Sequence, residues 1–219
     1  MQIIILTIFP GYFTSLLKTS ILKRAIEQEK VQVQLVNIRD FTTDKHHVTD
    51  DRPYGGGAGM VMKIEPIDRA LQYCRETLIT PGSKTVVALT AASGQPFTQA
   101  LATSWSNVDT LVIICGHYEG VDARVAQHLV DVQVSIGPYV LTGGEPAAAV
   151  ITDAVTRLLP EVLGNELSIE GESHAVDGQG EKLQFTRPEK YRGWSVPEVL
   201  LGGNHASIDQ WREQQRHSG

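Results

Sequence analysis

Backbone that can touch a ligand is concentrated in a few parts of this sequence. Four stretches set glycine beside polar residues. They are Asp50-Asp51-Arg52-Pro53-Tyr54-Gly55-Gly56-Gly57-Ala58-Gly59-Met60, Leu89-Thr90-Ala91-Ala92-Ser93-Gly94, Cys115-Gly116-His117-Tyr118-Glu119-Gly120-Val121-Asp122, and Ser135-Ile136-Gly137 through Gly143-Gly144-Glu145. Glycine tolerates positive φ and lets N–H and C=O groups approach a ligand closely. The first stretch lacks the Gly-Lys-Ser/Thr of a phosphate loop, and on its own it reads equally as a surface loop. The other three lie at the ends of apolar runs predicted to be strands. That edge of an open α/β sheet is where ligands bind, so the three together predict a small-molecule site.

Metal and acid–base chemistry have weaker signals. Asp44, His46, His47, Asp50 and Asp51 crowd one segment. Imidazole and carboxylate ligate divalent ions, but helical His-x-x-x-His spacing and cysteine pairs are missing, so a solvated polar loop accounts for them as well. His128 and His205 fall in predicted helices. Arg157, Glu170, Glu172 and Asp177 are the nearest approach to an acid–base set. A cation closing a helix is favourable on its own account, and carboxylates in a polar linker are common.

The elements that must position these residues alternate. Ile3–Phe9, Val31–Ile38, Thr85–Thr90, Thr110–Cys115 and Asp131–Ile136 read as strands. Thr14–Glu29, Glu65–Leu78, Thr98–Ser104, Val121–Leu129 and Glu145–Leu159 read as helices. This alternation predicts an α/β fold, a largely parallel sheet flanked by helices. The expected organisation is a ligand-binding domain over 1–162, a Gly-, Glu- and Ser-rich flexible linker over 163–180, and a small helical domain over 181–219 with a helix near His205–Arg216.

Composition narrows the classes. The 219 residues are 42% hydrophobic and 20% charged, as in an ordinary globular chain. No apolar run approaches the ~20 residues of a membrane span. Two cysteines, Cys74 and Cys115, without metal or redox spacing, and an N-terminus without a signal-peptide pattern, predict a reducing, cytoplasmic setting. Nineteen Lys and Arg against 25 Asp and Glu give a net charge of −6. Residues 1–180 carry 13 basic and 20 acidic side chains, and 181–219 carry 6 and 5. A strongly basic nucleic-acid binder is excluded, so any such binding must be local.

In order along the chain, the glycine motifs are joined by Arg39-Asp40-Phe41-Thr42, Arg157-Leu158-Leu159-Pro160, Thr186-Arg187-Pro188 and Val196-Pro197-Glu198-Val199-Leu200-Leu201-Gly202-Gly203-Asn204-His205. The set resembles the bacterial tRNA (guanine-N1)-methyltransferases, the TrmD family of the SPOUT superfamily, across residues 1–212. The resemblance implies a C-terminal trefoil knot in the catalytic domain, a homodimer with active sites built by both subunits, and a second domain that grips tRNA. It implies S-adenosylmethionine as methyl donor, held by Gly116, Ile136, Gly137, Pro138, Tyr139, Val140, Leu141, Gly143 and Gly144, with Thr90, Ala91, Ala92 and Glu119 beside them. It implies tRNA contacts at Asp50, Arg52, Tyr54, Gly59, Arg187 and His205, and methylation at N1 of guanosine 37. A divalent cation is an open cofactor expectation.

Guanine N1 must lose its proton before it attacks a methyl group. By resemblance a linker carboxylate takes that proton and Arg157 stabilises the charge on the base. The family's linker carries Asp-Ser-Phe where ungapped counting gives Glu172-Ser173-His174, so Glu172 is the expected base and Asp177 the rival. Ala92 stands where a proline is common, and the chain stops at Gly219, short of the family's further helices. The alternatives are a non-catalytic SPOUT protein that binds tRNA or cofactor, and a metal-dependent nucleotide enzyme using His46 and Asp50.

Overall fold

A computed structural model describes residues 1–163 and 183–215. The chain divides into two compact units, Met1–Gly164 and Asn165–Gly219. The first begins with β1 (Gln2–Thr7), a 3-10 turn (Pro10–Phe13), α1 (Thr14–Leu17), α2 (Ser20–Glu27) and β2 (Gln32–Asn37). A short antiparallel pair follows, β3 (Asp50–Asp51) and β4 (Val61–Met62), then α3 (Ile64–Tyr73), which runs into a π-turn at Cys74–Leu78. The remainder is β5 (Thr85–Pro96), α4 (Gln99–Trp105), β6 (Thr110–Cys115), α5 (Ala123–His128), β7 (Val132–Ser135) and α6 (Glu145–Thr156).

Five of these strands form one sheet in the order β2-β1-β6-β5-β7, and every pairing is parallel. Both faces are covered, as a parallel sheet requires. In β1, Ile3 and Ile5 join the cluster under α2, α4 and α6, with Trp105, Ile151 and Val155. Ile4 and Leu6 point the other way, to Ile67, Leu71 and Val125 of α3 and α5. A strand buried on both faces explains the unbroken apolar run Ile3–Leu6, and β6 is buried at all six positions for the same reason.

Two expected elements take a different form. The single helix expected over Thr14–Glu29 is two helices, because Thr19 is extended and its hydroxyl donates to Ser15 O at 2.6 Å. A β-branched residue with such a local bond competes with helix continuation. The strand expected to stop at Thr90 continues to Pro96, with its register against β7 shifting between Thr90 and Gln95. The stretch Ala91–Gly94 is therefore a bulged part of β5, not a strand-to-helix loop. Gly94 lets it rejoin, since a Cβ there would lie 2.5 Å from Val134 N.

The second unit, as far as it is described, contains a hairpin of β8 (Lys190–Tyr191) and β9 (Trp194–Ser195), a 3-10 turn (Glu198–Leu200) and α7 (His205–Gln214). Its hairpin was not expected. Glu172 and Asp177, and most of the expected linker, lie outside the described residues. Among the described residues no helix is long and apolar enough to cross a membrane.

Candidate active site

The carboxyl ends of β6, β5 and β7 are neighbours in the sheet, so the three segments that follow them meet. They enclose a cleft of about 590 Å³ lined by residues of 89–93, 116–127 and 133–147. Every position that the resemblance assigns to the cofactor lines it except Pro138.

Close approach holds the walls in place. Gly144 N donates to Gly116 O at 2.6 Å, fastening the segment after β7 to the segment after β6. Thr90 Oγ1 donates to Ile114 O and accepts from Gly116 N, each at 3.2 Å, which ties β5 to the same point. A Cβ on Gly144 would overlap Thr90 Oγ1 and lie 2.8 Å from Gly116 N, so only glycine fits. At the far wall, Tyr139 folds its ring over Gly137 and donates its hydroxyl to Ile136 O at 3.1 Å. Ser135 Oγ donates to Gly137 O at 2.9 Å. These contacts make a preformed cradle, rich in backbone polar groups, whose walls pack so closely that a Cβ at 116, 137, 143 or 144 would press on the neighbouring wall.

Beneath the cradle lies a polar cluster that the sequence did not single out. Glu145, the first residue of α6, is 3% exposed and accepts from Thr7 Oγ1 at 2.7 Å. Its other oxygen lies 3.7 Å from His117 Nδ1, which is buried and makes no hydrogen bond among the described residues. The imidazole is held edge-on by Phe9 and Tyr118, and His117 pairs with Gly143 in a β-bridge. A carboxylate in the first helical turn is favoured by the helix dipole. Its charge, added to burial as the main cause, drives the neighbouring Cys115 thiol well above its ordinary range. Thr7, His117 and Glu145 are far apart in sequence, so no local spacing could have linked them.

The glycine arch over 52–60 is fastened to the cleft's wall at Glu119 and Gly120. Its stem is β3–β4, and Glu119 N donates to Met60 O at 3.1 Å while Met62 N donates to Gly120 O at 2.9 Å. Gly59, with φ +83°, packs its Cα against the Glu119 side chain. Arg52 and Tyr54 are exposed on the arch, and Asp50 sits in its stem. Arg157 does not line the cleft of its own chain. It follows α6, donating its N–H to Asp153 O at 3.1 Å. It stands twelve positions after Glu145, about 18 Å along the helix axis. Arg187 and His205 belong to the second unit.

The metal expectation has little to build on. Asp44 accepts from the N–H groups of His46 and Val48, and these bonds hold its carboxyl below the ordinary range although burial opposes them. His47 Nδ1 is 3.0 Å from Arg39 O. Among the described residues no group of three or more His, Cys, Asp or Glu is placed to hold a metal ion.

The model of the family described as tRNA (Guanine-1)-methyltransferase TrmD matches residues 1–218. The chain belongs to this family. Among its relatives, the tRNA (guanine-N(1)-)-methyltransferase of Carboxydothermus hydrogenoformans is 52% identical over 215 residues, covering 98% of this chain and 82% of the relative. Those of Dehalococcoides mccartyi and Staphylococcus carnosus are 49% and 48% identical, covering 85% and 86% of their own lengths. The parallel sheet flanked by helices agrees with the SPOUT class of the TrmD family.

Proposed function

We propose that the chain transfers a methyl group from S-adenosylmethionine to N1 of guanosine 37 in tRNA, acting as a cytoplasmic homodimer. The observation that carries the reading is the glycine-pinned cleft at the ends of β5, β6 and β7, inside a chain that matches the family from end to end. When bound, the donor supplies a sulfonium methyl. The cradle at Gly116, Gly137, Gly143 and Gly144 holds and orients it, in the part of the chain where the family implies a knotted threading.

The chain's remaining tasks are to present guanine, take its N1 proton and stabilise the charge left on the base. Glu172 is the base in this reading, with Asp177 the rival. A base of this kind is worth ~10²–10⁴-fold in rate. Arg157 supplies the positive charge. Its place at the end of α6, about 18 Å from the cradle, favours its acting in the cleft of a second copy. Phe9 just before the first 3-10 turn, Tyr12 within it and Val150 on α6 are exposed and give an apolar surface for that copy. Asp50, Arg52, Tyr54 and Gly59 on the arch, with Arg187 and His205, hold the tRNA.

The test mixes two inactive chains. Arg157→Ala and Glu172→Gln are each expected to lose at least ~10²-fold in turnover. After subunit exchange, half the dimers are mixed and one of their two sites is intact, so about a quarter of wild-type activity returns. No recovery on mixing means the site is not shared. Activity in Glu172→Gln but not Asp177→Asn assigns the base to Asp177. Turnover that survives chelation removes a divalent cation from the reaction. Donor binding without methyl transfer to any tRNA would favour the non-catalytic reading.

A further inference from the structure

The hairpin of the second unit exposes what a folding unit normally hides. β8 and β9 are joined by Arg192 and Gly193, both at positive φ, 51° and 89°. Two consecutive positive φ values make the turn that suits the strand twist, and Asn-Gly is its usual sequence. Arginine at the first position is disfavoured there. Tyr191 and Trp194 face each other across the ladder, so their rings share one side of the hairpin, 6.1 Å apart. Trp194 is 69% exposed and Tyr191 52%. The Arg192 guanidinium lies 5.3 Å from the Tyr191 ring centroid. The other tryptophans are employed in packing, Trp105 in the core and Trp211 against Phe185.

We infer that the Tyr191–Trp194 tip is a stacking platform for an unpaired nucleotide of the substrate tRNA, with Arg192 and Lys190 at the adjoining phosphates. The inference rests on the reading of tRNA as substrate and adds the surface that grips it. The local charge fits a polyanion: residues 187–195 hold Arg187, Lys190 and Arg192 against Glu189 alone, in a chain of net charge −6. With so little general attraction for phosphate, affinity must come from a few local contacts. An exposed indole does this well, because every base has a π-face, and a cation beside the ring adds to the attraction. An arginine at a turn position that favours asparagine breaks the local folding rule, and a phosphate contact accounts for it.

Binding of an unmodified tRNA transcript to the full chain tests this, read by affinity and by tryptophan fluorescence. Wild-type fluorescence is expected to fall on binding as a base covers Trp194. Trp194→Ala should weaken tRNA binding at least ~10-fold, leave donor affinity unchanged, and be largely rescued by Trp194→Phe. Arg192→Asn separates recognition from folding. It restores the preferred turn, so thermal stability holds or rises, while tRNA affinity falls and its salt dependence flattens by about one charge. If Trp194→Ala misfolds, Arg192→Asn and the wild-type fluorescence still decide. Affinity within two-fold of wild type in both variants overturns the inference. So does loss of the dimer in Trp194→Ala with tRNA affinity intact, since the tip would then be a protein contact. Because binding is measured apart from methyl transfer, a chain that binds tRNA through this tip yet transfers no methyl group would refute the activity and leave the platform standing.

Discussion

A Cβ on Gly144 would overlap Thr90 Oγ1 and come within 2.8 Å of Gly116 N, whereas one on Gly55 or Gly56 would meet nothing within 4 Å. Both regions are glycine-rich, and the arch is tied to one wall of the cleft at Glu119 and Gly120. In the cradle, glycine is required because three strand ends converge and leave no volume. In the arch it is required by the backbone, since Gly55, Gly56, Gly57 and Gly59 all have φ between 79° and 128°. The first region is a packed, preformed wall suited to a small ligand of fixed shape. The second is an exposed loop whose shape depends on conformation alone, suited to a large substrate that arrives from outside. Gly59 belongs to both, with positive φ and its Cα against Glu119, so it joins the arch to the wall.

The largest break in this comparison is Gly144→Ala. The atoms in the way are backbone as well as side chain, Gly116 N and Cys115 Cα at 2.8 and 2.9 Å, and they cannot swing aside. Overpacking of this kind costs about 3 kcal/mol. Donor binding should become undetectable by calorimetry, with a lowered melting temperature. Gly143→Val should also abolish donor binding, but by displacing His117 and Glu145, the atoms its Cβ would meet, not by filling ligand space. Retained donor affinity in Gly144→Ala would show that the cradle is not the binding wall.

Next in size is Thr7→Val, nearly isosteric, which removes the donor to the buried Glu145 carboxylate. Leaving such a group short of a partner costs about 1–3 kcal/mol. The loss should appear in urea unfolding and in donor affinity together, because Glu145 begins the helix that closes the cradle. Glu145→Gln in the Thr7→Val background should recover part of it, since a neutral amide is cheaper to bury than a carboxylate. Additive losses would mean that the two residues do not act as one brace.

This brace marks the limit of what the sequence shows. The runs Ile3–Leu6 and Leu111–Cys115 identify buried strands because burial on both faces leaves no polar alternation. The glycine stretches after β6 and β7 mark a ligand edge because that edge demands close approach. Neither kind of signal says that β6 lies between β1 and β5, which is what brings Thr7 beside Glu145 across 138 residues. The split at Thr19 and the continuation of β5 to Pro96 were hidden for a similar reason, since one side-chain bond and one bulge overrode local propensity. Tyr191-Arg192-Gly193-Trp194 could have been read as a hairpin from its glycine between aromatic residues, though arginine at the turn obscures it.

Alkaline pH should act through two buried thiols, Cys115 beside the cradle and Cys74 in the core under α3. Burial raises the Cys74 thiol from 9.0 to about 11, and burial with Glu145's charge carries Cys115 well above 9.0. The folded chain therefore binds more protons than the unfolded one above pH 9, and stability falls as pH rises. The contribution is complete below pH 9 and is lost for Cys74 by about pH 11, on the order of 2 kcal/mol. Melting temperatures measured between pH 8 and 11 should decline, and Cys74→Ala should flatten part of the decline while lowering the whole curve. An unchanged slope in that variant would assign the effect elsewhere.

Gly56→Ala is the smallest change and the sharpest test of the contrast. Its Cβ has open space, so the only cost is the left-handed conformation at φ +79°, about 1 kcal/mol for alanine. Part of that is offset because alanine also restricts the unfolded chain. Melting temperature should move by no more than a few degrees and donor affinity by less than two-fold. The effect should fall on tRNA, as a raised KM with turnover at saturation little changed, because an arch that must adopt one shape around its substrate loses part of its conformational range. Gly56→Asn should stay nearer wild type, since asparagine tolerates this region of φ. If Gly56→Ala instead lost donor binding as Gly144→Ala does, the arch would be part of the cradle, and the two regions would use glycine for one reason.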